Sequence, residues 1–290
     1  MLKPKIAKAL DKLSSKAVIK NTVYIVSIII FFALILLPPI LGIIIKWGAI
    51  EDVLSEPQLM SGALNAIGMS FAVALLVSFI DVVAGVPMAW MITRGKSKWL
   101  SVLDTLSDIP FIVPTATLGY SLLLFWSEPG GLSSLFGASF VSPGWLLVIL
   151  LHFTFSFPVV VRVMVGALLD YKLEYEQAAR TLGAAPLTAD RTVTFPILKH
   201  SLIASFTLAF ARSLSETGAT MMVAGAFVHG PIFINNHIGE AGPLVFVSAI
   251  LIVLSSLVFV TIRLLGPRLK MPVRKVWPKA ERKLSSSTIA

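Results

Sequence analysis

Long apolar runs alternate with short polar segments along the whole chain. Six of these runs, at about 22–45, 62–92, 108–126, 145–169, 199–226 and 243–265, are close to or longer than the roughly 20 residues that a membrane-spanning helix needs. Backbone groups cannot face hydrocarbon without hydrogen-bond partners, so each run is predicted to be helical. The pattern predicts an all-α, polytopic membrane protein with six transmembrane helices.

The first apolar run follows a basic, amphipathic segment that looks like the start of a signal peptide. Val23 to Ile45 are 23 residues without a charge, which is longer than the apolar region of a signal peptide, and no small-x-small cleavage pattern follows them. We therefore expect this run to be retained as the first helix. The chain divides into a basic amphipathic segment, 1–21, a six-helix membrane domain, 22–266, and a basic tail, 267–290.

The composition agrees with a membrane protein and excludes several kinds of site. Of the 290 residues, 56% are hydrophobic and 13% are charged, about half the charged fraction of a soluble domain. The chain has no cysteine, which excludes disulfides, thiolate nucleophiles and Cys-ligated metals. Its four histidines form no i,i+4 pair, so we expect hydrogen-bonded packing residues and no metal site. They are His152, His200, His229 and His237.

Most of the positive charge lies on one side of the predicted membrane. Twenty of the 24 Lys and Arg residues fall in the N-terminal segment, the second and fourth loops and the C-terminal tail. The other three loops contain Lys46 and no second Lys or Arg. The positive-inside rule then places both termini in the cytoplasm. The net charge of +9 is therefore an orientation signal, and no nucleic-acid partner is expected.

Proline interrupts the third apolar run, which reads SDIPFIVPTATLGY. Pro110 and Pro114 each remove a backbone donor and clash with the preceding turn of a helix. We expect a broken or kinked helix here.

A polar insert, YEQAARTLGAAPLTADRTVTFP, lies between the fourth and fifth runs, in the predicted cytoplasmic loop 170–198. Apolar or small residues recur at i, i+3, i+4 and i+7, which predicts one face of a short helix. Gly183 follows where a left-handed helix cap is expected, and Pro186 suits the first turn of a second helix. Pro196 is predicted to separate that second helix from the fifth span.

The insert resembles the EAA loop of the permease subunits of ATP-binding-cassette (ABC) importers. The family pattern is E-A-A, three residues, G, nine residues, and I-x-L-P. Here Gln177, Ala178 and Ala179 precede Gly183, and Val193-Thr194-Phe195-Pro196 follows nine residues later. Gln177 departs from the family's acidic residue, although Glu174 and Glu176 lie beside it. The resemblance covers at least the last five predicted helices.

This resemblance implies that a short cytoplasmic coupling helix docks into a cleft of a separate ATPase subunit. ATP and Mg²⁺ would be bound by that partner, so the chain would be a transport subunit with no catalytic residues and no cofactor of its own. The string Arg94-Gly95-Lys96-Ser97 is no P-loop, because Trp90 occupies the place of the first glycine. The implied location is the cytoplasmic membrane of a prokaryote. The implied ATPase-coupling residues are Tyr175, Glu176, Gln177, Ala178, Ala179, Leu182, Gly183, Pro186 and Pro196.

Four ionisable residues fall within predicted spans: Asp81, Arg162, Arg212 and Glu216. Each costs on the order of 2.5–3.5 kcal/mol at the centre of a lipid-facing helix, so each is expected to face the protein interior and to pair. Arg212 and Glu216 are four residues apart and are predicted to pair on one helix face. Asp81 and Arg162 are predicted to bridge the second and fourth spans. Both pairs are compatible with a structural role and with a role in transport.

The segment around Arg212, FARSLSETGATMMVAG, resembles the fifth helix of permeases for tetrahedral oxyanions such as molybdate, tungstate and sulfate. Thr217 replaces an aromatic residue of that group. The resemblance implies an oxyanion path, with an external binding protein that delivers the anion. Two-fold pairs are the usual assembly, so we expect a homodimer of permeases with two ATPase subunits. The candidate path residues are Asp81, Arg162, Arg212, Ser215, Glu216 and Thr217.

Other functions remain open from the sequence. An ABC permease for phosphate, a polyamine or a sugar has the same architecture. A proton-coupled secondary transporter would use intramembrane acids such as Asp81 and Glu216 as relays. A membrane scaffold or insertase without transport is a third class.

Overall fold

A computed structural model describes residues 17–127, 131–135 and 141–265, and within these ranges the chain forms helices and no strand. The tail 267–290 and most of the segment 1–21 lie outside the described residues. The α-helices are α1 (Ala17–Phe31), α2 (Leu37–Ile45), α3 (Ile50–Ser55), α4 (Pro57–Arg94), α5 (Lys98–Ser107), α6 (Ile109–Ile112), α7 (Thr115–Trp126), α8 (Leu132–Leu135), α9 (Trp145–Asp170), α10 (Glu174–Thr181), α11 (Pro186–Ala189), α12 (Phe195–Leu214), α13 (Gly218–Val223), α14 (Gly230–Asn236) and α15 (Ala241–Leu265).

The predicted membrane spans are present. Five helical segments in the described ranges have the length and hydropathy to cross a membrane, and the bent pair Lys98–Ile112 and Thr115–Trp126 makes a sixth if it counts as one span. The five are Val18–Ile45, Pro57–Arg94, Trp145–Asp170, Pro186–Leu214 and Ala241–Leu264. The all-α, polytopic prediction is therefore confirmed.

The third span is broken, as its prolines predict. The two halves of the pair bend by 111° at Val113 and Pro114, both of which have extended backbone. Proline disfavours helical geometry for the residue before it, which accounts for the extended Val113. The first half begins at Lys98, well before the predicted start at residue 108.

The predicted extent of the fifth span, 199–226, is wrong at its end. Helix α12 stops at Leu214, and the chain re-enters a helix only at α13. Thr217 leaves the helical conformation at φ −127° and ψ −52°. Helix α13 packs against α7, where Gly119 approaches so closely that a Cβ atom there would lie 2.8 Å from the carbonyl oxygen of Ala219. Apolar composition alone did not reveal this break.

The break predicted at Pro196 is also wrong. The chain is helical from Pro186 to Leu214, through a five-residue π turn at Asp190–Thr194 in which the Phe195 N–H donates to the Asp190 carbonyl. The wider turn realigns the backbone, so that Pro196 falls in the first turn of α12. In a regular α-helix the proline ring would clash with the preceding turn, and the wider i→i−5 turn before Pro196 replaces that regular pattern.

Two compact units divide the described residues. One contains 65–127, 131–135, 141–233 and 252–265; α9 packs along α12 within it, and Phe155 and Met164 are among its fully buried side chains. The other contains 17–64 and 234–251. Within this second unit Val53 is buried, and Gly242 lies against the backbone of Ala49.

Candidate functional site

The polar insert folds as a helix, a turn and a second helix, as its sequence predicts. Helix α10 has acidic residues in its first turn and Arg180 in its last, which complements the helix dipole. Gly183 has φ +88°. Its N–H donates to the Arg180 carbonyl (2.9 Å), and the Ala184 N–H donates to the Ala179 carbonyl (3.1 Å). These two bonds form a Schellman motif, which requires a left-handed residue at Gly183.

The tip of this segment exposes apolar side chains. Leu182 is 89% exposed and Leu187 is 60% exposed, and the side chains of Tyr175, Gln177 and Ala178 are exposed as well. These two leucines, at the end of α10 and in α11, form an exposed apolar surface of the kind that binds an apolar groove of another protein. We call the segment 174–189, from α10 to α11, the coupling segment.

Glu176 differs from its neighbours because its side chain faces the chain's own membrane domain. Its Oε2 lies 3.2 Å from Nη1 of Arg94, and the two side chains are 11% and 22% exposed. The Arg94 guanidinium also lies over the rings of Trp90 (5.0 Å) and Tyr171 (5.7 Å). The contact connects α10 to the C-terminal end of α4. The sequence analysis considered Arg94 only as an orientation charge and as part of a rejected P-loop.

The predicted Asp81–Arg162 pair is wrong. Arg162 binds two other carboxylates: its Nη1 lies 2.8 Å from Oδ1 of Asp104, and its Nε lies 2.5 Å from Oδ1 of Asp108. A third bond runs from Nη2 to the Asp104 carbonyl at 2.6 Å. Because the helical segment before the break begins at Lys98, it brings both aspartates to α9. Asp81 is 0% exposed, and its carboxylate has no hydrogen-bond partner among the described residues.

The Arg212–Glu216 pair forms as its spacing predicts. Nη1 of Arg212 lies 2.8 Å from Oε2 of Glu216, and the other carboxylate oxygen accepts the Ala219 N–H at 3.1 Å. Glu216 thereby caps α13 while it neutralises Arg212. The Arg212 guanidinium also lies 5.0 Å from the ring centre of Phe155. Of the neighbouring candidates, Ser215 is exposed and Thr217 is half-buried.

A buried histidine connects three helices at this point. Nδ1 of His152 shares a hydrogen bond of 2.9 Å with the Ser213 hydroxyl, and Nε2 shares one of 2.9 Å with the Thr220 hydroxyl. His152 lies on α9, Ser213 near the end of α12 and Thr220 on α13. Two facing hydroxyls satisfy both ring nitrogens, as expected for a packing histidine. The Ser213 and Thr220 contacts were missed because they require the break after Leu214.

Comparison with known proteins agrees with this geometry. Residues 82–271, more than half of the chain, match the family described as the binding-protein-dependent transport system inner membrane component. The chain belongs to this family. The sulfate transport system permease protein CysT of Salmonella typhimurium is 36% identical over 206 residues, which are 68% of this chain and 72% of that protein. The molybdenum transport system permease protein ModB of Escherichia coli is 33% identical over 173 residues, which are 58% of this chain and 73% of that protein.

Solved structures agree on the fold of the family. A chain of the MetNI methionine ABC transporter in an inward-facing form is 19% identical and has a TM-score of 0.60 over 76% of this chain and 100% of that chain. A chain of a bacterial alginate ABC transporter in complex with its alginate-bound periplasmic protein is 15% identical, with a TM-score of 0.62 over 86% of this chain and 94% of that chain. This member of the family is an ABC importer permease and a multi-pass protein of the inner membrane.

Proposed function

We propose that this chain forms the translocation path for a tetrahedral oxyanion, either sulfate or the related molybdate and tungstate. The observation that carries the proposal is the identity of 36% to a sulfate permease together with 33% to a molybdenum permease. Both substrates are small divalent oxyanions with four equivalent oxygens. A path for such an anion requires hydrogen-bond donors with modest positive potential. Arg212 supplies both, while Glu216 at 2.8 Å limits how tightly an anion would be held.

The coupling segment supports an ATP-driven mechanism. Its exposed Leu182 and Leu187 form the surface that would enter a cleft of a separate ATPase subunit. ATP and Mg²⁺ would be bound by that subunit, and this chain would contribute no catalytic residue. Closure of two ATPase subunits would move two coupling segments together, and the Arg94–Glu176 contact would pass this motion to α4.

The proposed assembly contains two copies of this permease, two ATPase subunits and an extracytoplasmic binding protein. A two-fold pair of identical permeases is the simplest closed arrangement. The coupling segment must face the cytoplasm to reach the ATPases, and six spans then place both termini on the same side. The candidate path residues Arg212, Ser215, Glu216 and Thr217 adjoin the end of α12 distant from the coupling segment.

Reconstitution of the complex tests the substrate. The permease, its ATPase and its binding protein are placed in liposomes, and ATP hydrolysis and uptake are measured with sulfate, molybdate, tungstate, phosphate, a polyamine and a sugar. We expect stimulated hydrolysis and uptake with at least one of the first three. Stimulation by only phosphate, polyamine or sugar, or uptake driven by a pH gradient without ATP, would refute the oxyanion proposal.

The absence of cysteine makes the orientation directly measurable. Single variants Lys96→Cys and Ser134→Cys place unique thiols on exposed positions of opposite predicted sides. A membrane-impermeant thiol reagent added to intact cells should label the second variant and not the first. The reverse labelling pattern would contradict cytoplasmic termini.

A further inference from the structure

A cavity of about 450 Å³ lies between α12 and α15. Its polar lining includes His200 and Arg263, and Leu208 and Phe259 contribute apolar walls. His200 lies near the start of α12 and Arg263 near the end of α15. Both therefore lie near the helix ends that face the cytoplasm in the proposed orientation.

The two polar groups are available to a ligand. Neither the Arg263 guanidinium nor the His200 ring has a hydrogen bond or an ion pair within the part of the chain that the structure describes. A guanidinium presents a planar set of donors that matches two oxygens of a tetrahedral anion. An imidazole N–H can donate to a third oxygen. The cavity thus combines unused donors with a volume that accommodates an anion and several waters.

The α12 span is less apolar than the other single spans, and its exposed face is mixed in character. The most apolar 18-residue stretch within Pro186–Leu214 has a mean hydropathy of 1.4, whereas the corresponding values for the other four single spans run from 2.1 to 3.1. The exposed positions of α12 are His200, the small residues Ala204 and Ala211, and the apolar residues Ile197 and Leu208, and the exposed Ser215 follows the end of the helix. The facing helix α15 exposes Val253 and Leu257 together with the polar Ser256 and Thr261. The face from Ser215 down to the cavity thus carries small and polar residues around a single large apolar one, Leu208, which is compatible with a partly hydrated path.

We propose that Arg263 and His200 form an exit site, which holds the transported oxyanion on the cytoplasmic side of the path before release. This inference rests on the proposed function and adds a binding site to it. The same chemistry would recognise the phosphate group of a membrane lipid. The small and polar residues of the α12 face, Ala204, Ala211 and Ser215, favour the transported anion.

Anion binding to the assembled complex tests the exit site. The permease–ATPase complex is placed in nanodiscs of phosphatidylcholine without nucleotide or binding protein, and the binding of radiolabelled sulfate and molybdate is measured. Loss of a charge-assisted hydrogen bond should weaken binding by about tenfold or more in Arg263→Gln. His200→Gln should weaken it by a smaller factor, and Arg263→Lys should retain part of the affinity. Lys96→Gln is the matched control, because it removes an exposed cation of the same predicted side from outside this cavity.

Each outcome decides between the alternatives. Equal affinity for Arg263→Gln, Arg263→Lys and the Lys96→Gln control would overturn the exit site. A lipid site would also overturn it. In that case phosphatidylglycerol in the nanodisc would displace the anion, and mass spectrometry would find a bound phospholipid in the parent complex but not in Arg263→Gln. Binding-protein-stimulated ATP hydrolysis is measured on the same samples. If an oxyanion stimulates hydrolysis but the Arg263 variants bind it normally, the proposed function stands and the exit site is wrong. If no oxyanion stimulates hydrolysis, the proposed function itself is wrong.

Discussion

Arg94 and Glu176 form an ion pair, with 3.2 Å between Nη1 and Oε2, that joins the coupling segment to the long helix α4. Both side chains are largely buried, and the guanidinium is further held over the rings of Trp90 and Tyr171. The pair joins α10 to α4, so we expect a displacement of one helix to displace the other.

We expect Glu176→Gln and Arg94→Gln to lower uptake relative to ATP hydrolysis, because a loosened coupling segment transmits less of its motion. The charge-assisted bond should also give a coupling free energy of about 1–2 kcal/mol in a double-mutant cycle on thermal unfolding. Glu174→Gln, at an exposed position of the same helix, is the control. Equal uptake per ATP in Glu174→Gln and Glu176→Gln would argue against this role.

Gly183 should be sensitive to substitution through its backbone alone. Its φ is +88°, and no atom lies within 4 Å of the position where a Cβ atom would be. Gly183→Ala should therefore cost about 1 kcal/mol from the left-handed conformation, Gly183→Val more, and Gly183→Asn less. The affinity of the purified permease for its ATPase should fall in the order Asn, Ala, Val, with membrane insertion unchanged. A Val variant that binds the ATPase as tightly as the parent would contradict the need for this turn.

Features that depend on local composition were predictable from the sequence. Apolar runs identify the spans, Pro114 forces an extended residue before it, and the spacing of Gly183 behind a short amphipathic face predicts the turn. Each of these results from sterics or burial within a few residues. The family resemblance rests on the same local features.

Features that depend on distant contacts were not predictable. The polar segment Ser215-Glu216-Thr217-Gly218 follows Leu214, but apolar residues resume after it, so the pattern predicts one span. The contacts of Glu216 with Arg212 and Ala219 appear only once the chain breaks there. Pro196 reads as a break, but the π turn before it accommodates the ring. The partners of Arg162 depend on a helix that begins at Lys98, a start that the Ser97 N-cap marks and the sequence analysis did not use. Which carboxylates then reach Arg162 depends on how that helix lies against α9.

The corrected pairing changes the expected effect of substitutions at Asp81 and Arg162. Arg162→Gln leaves Asp104 and Asp108 close together without their cation, and should lower the free energy of unfolding by about 1–2 kcal/mol. Asp81→Asn replaces a buried carboxylate that has no partner in the described residues, so stability should be unchanged or higher. Thermal unfolding of the purified permease measures both. If the double variant Asp81→Arg/Arg162→Asp is more stable than either single variant, the direct Asp81–Arg162 pair would be supported after all.

His152 should stabilise the packing of α13 and the end of α12 against α9. In His152→Phe the aromatic ring keeps much of the volume, but the buried Ser213 hydroxyl loses its partner. The Thr220 hydroxyl keeps only a long contact of 3.5 Å with the Glu216 carbonyl. An unsatisfied hydroxyl costs about 1–3 kcal/mol, so the variant should unfold at a clearly lower temperature than the parent. His152→Gln, which can keep one of the two bonds, should lie between them. Thr154→Val is the matched control, since that hydroxyl bonds only the Leu150 carbonyl of its own helix (2.8 Å). If His152→Phe is no less stable than Thr154→Val, the histidine does not hold the end of α12 and α13 to α9.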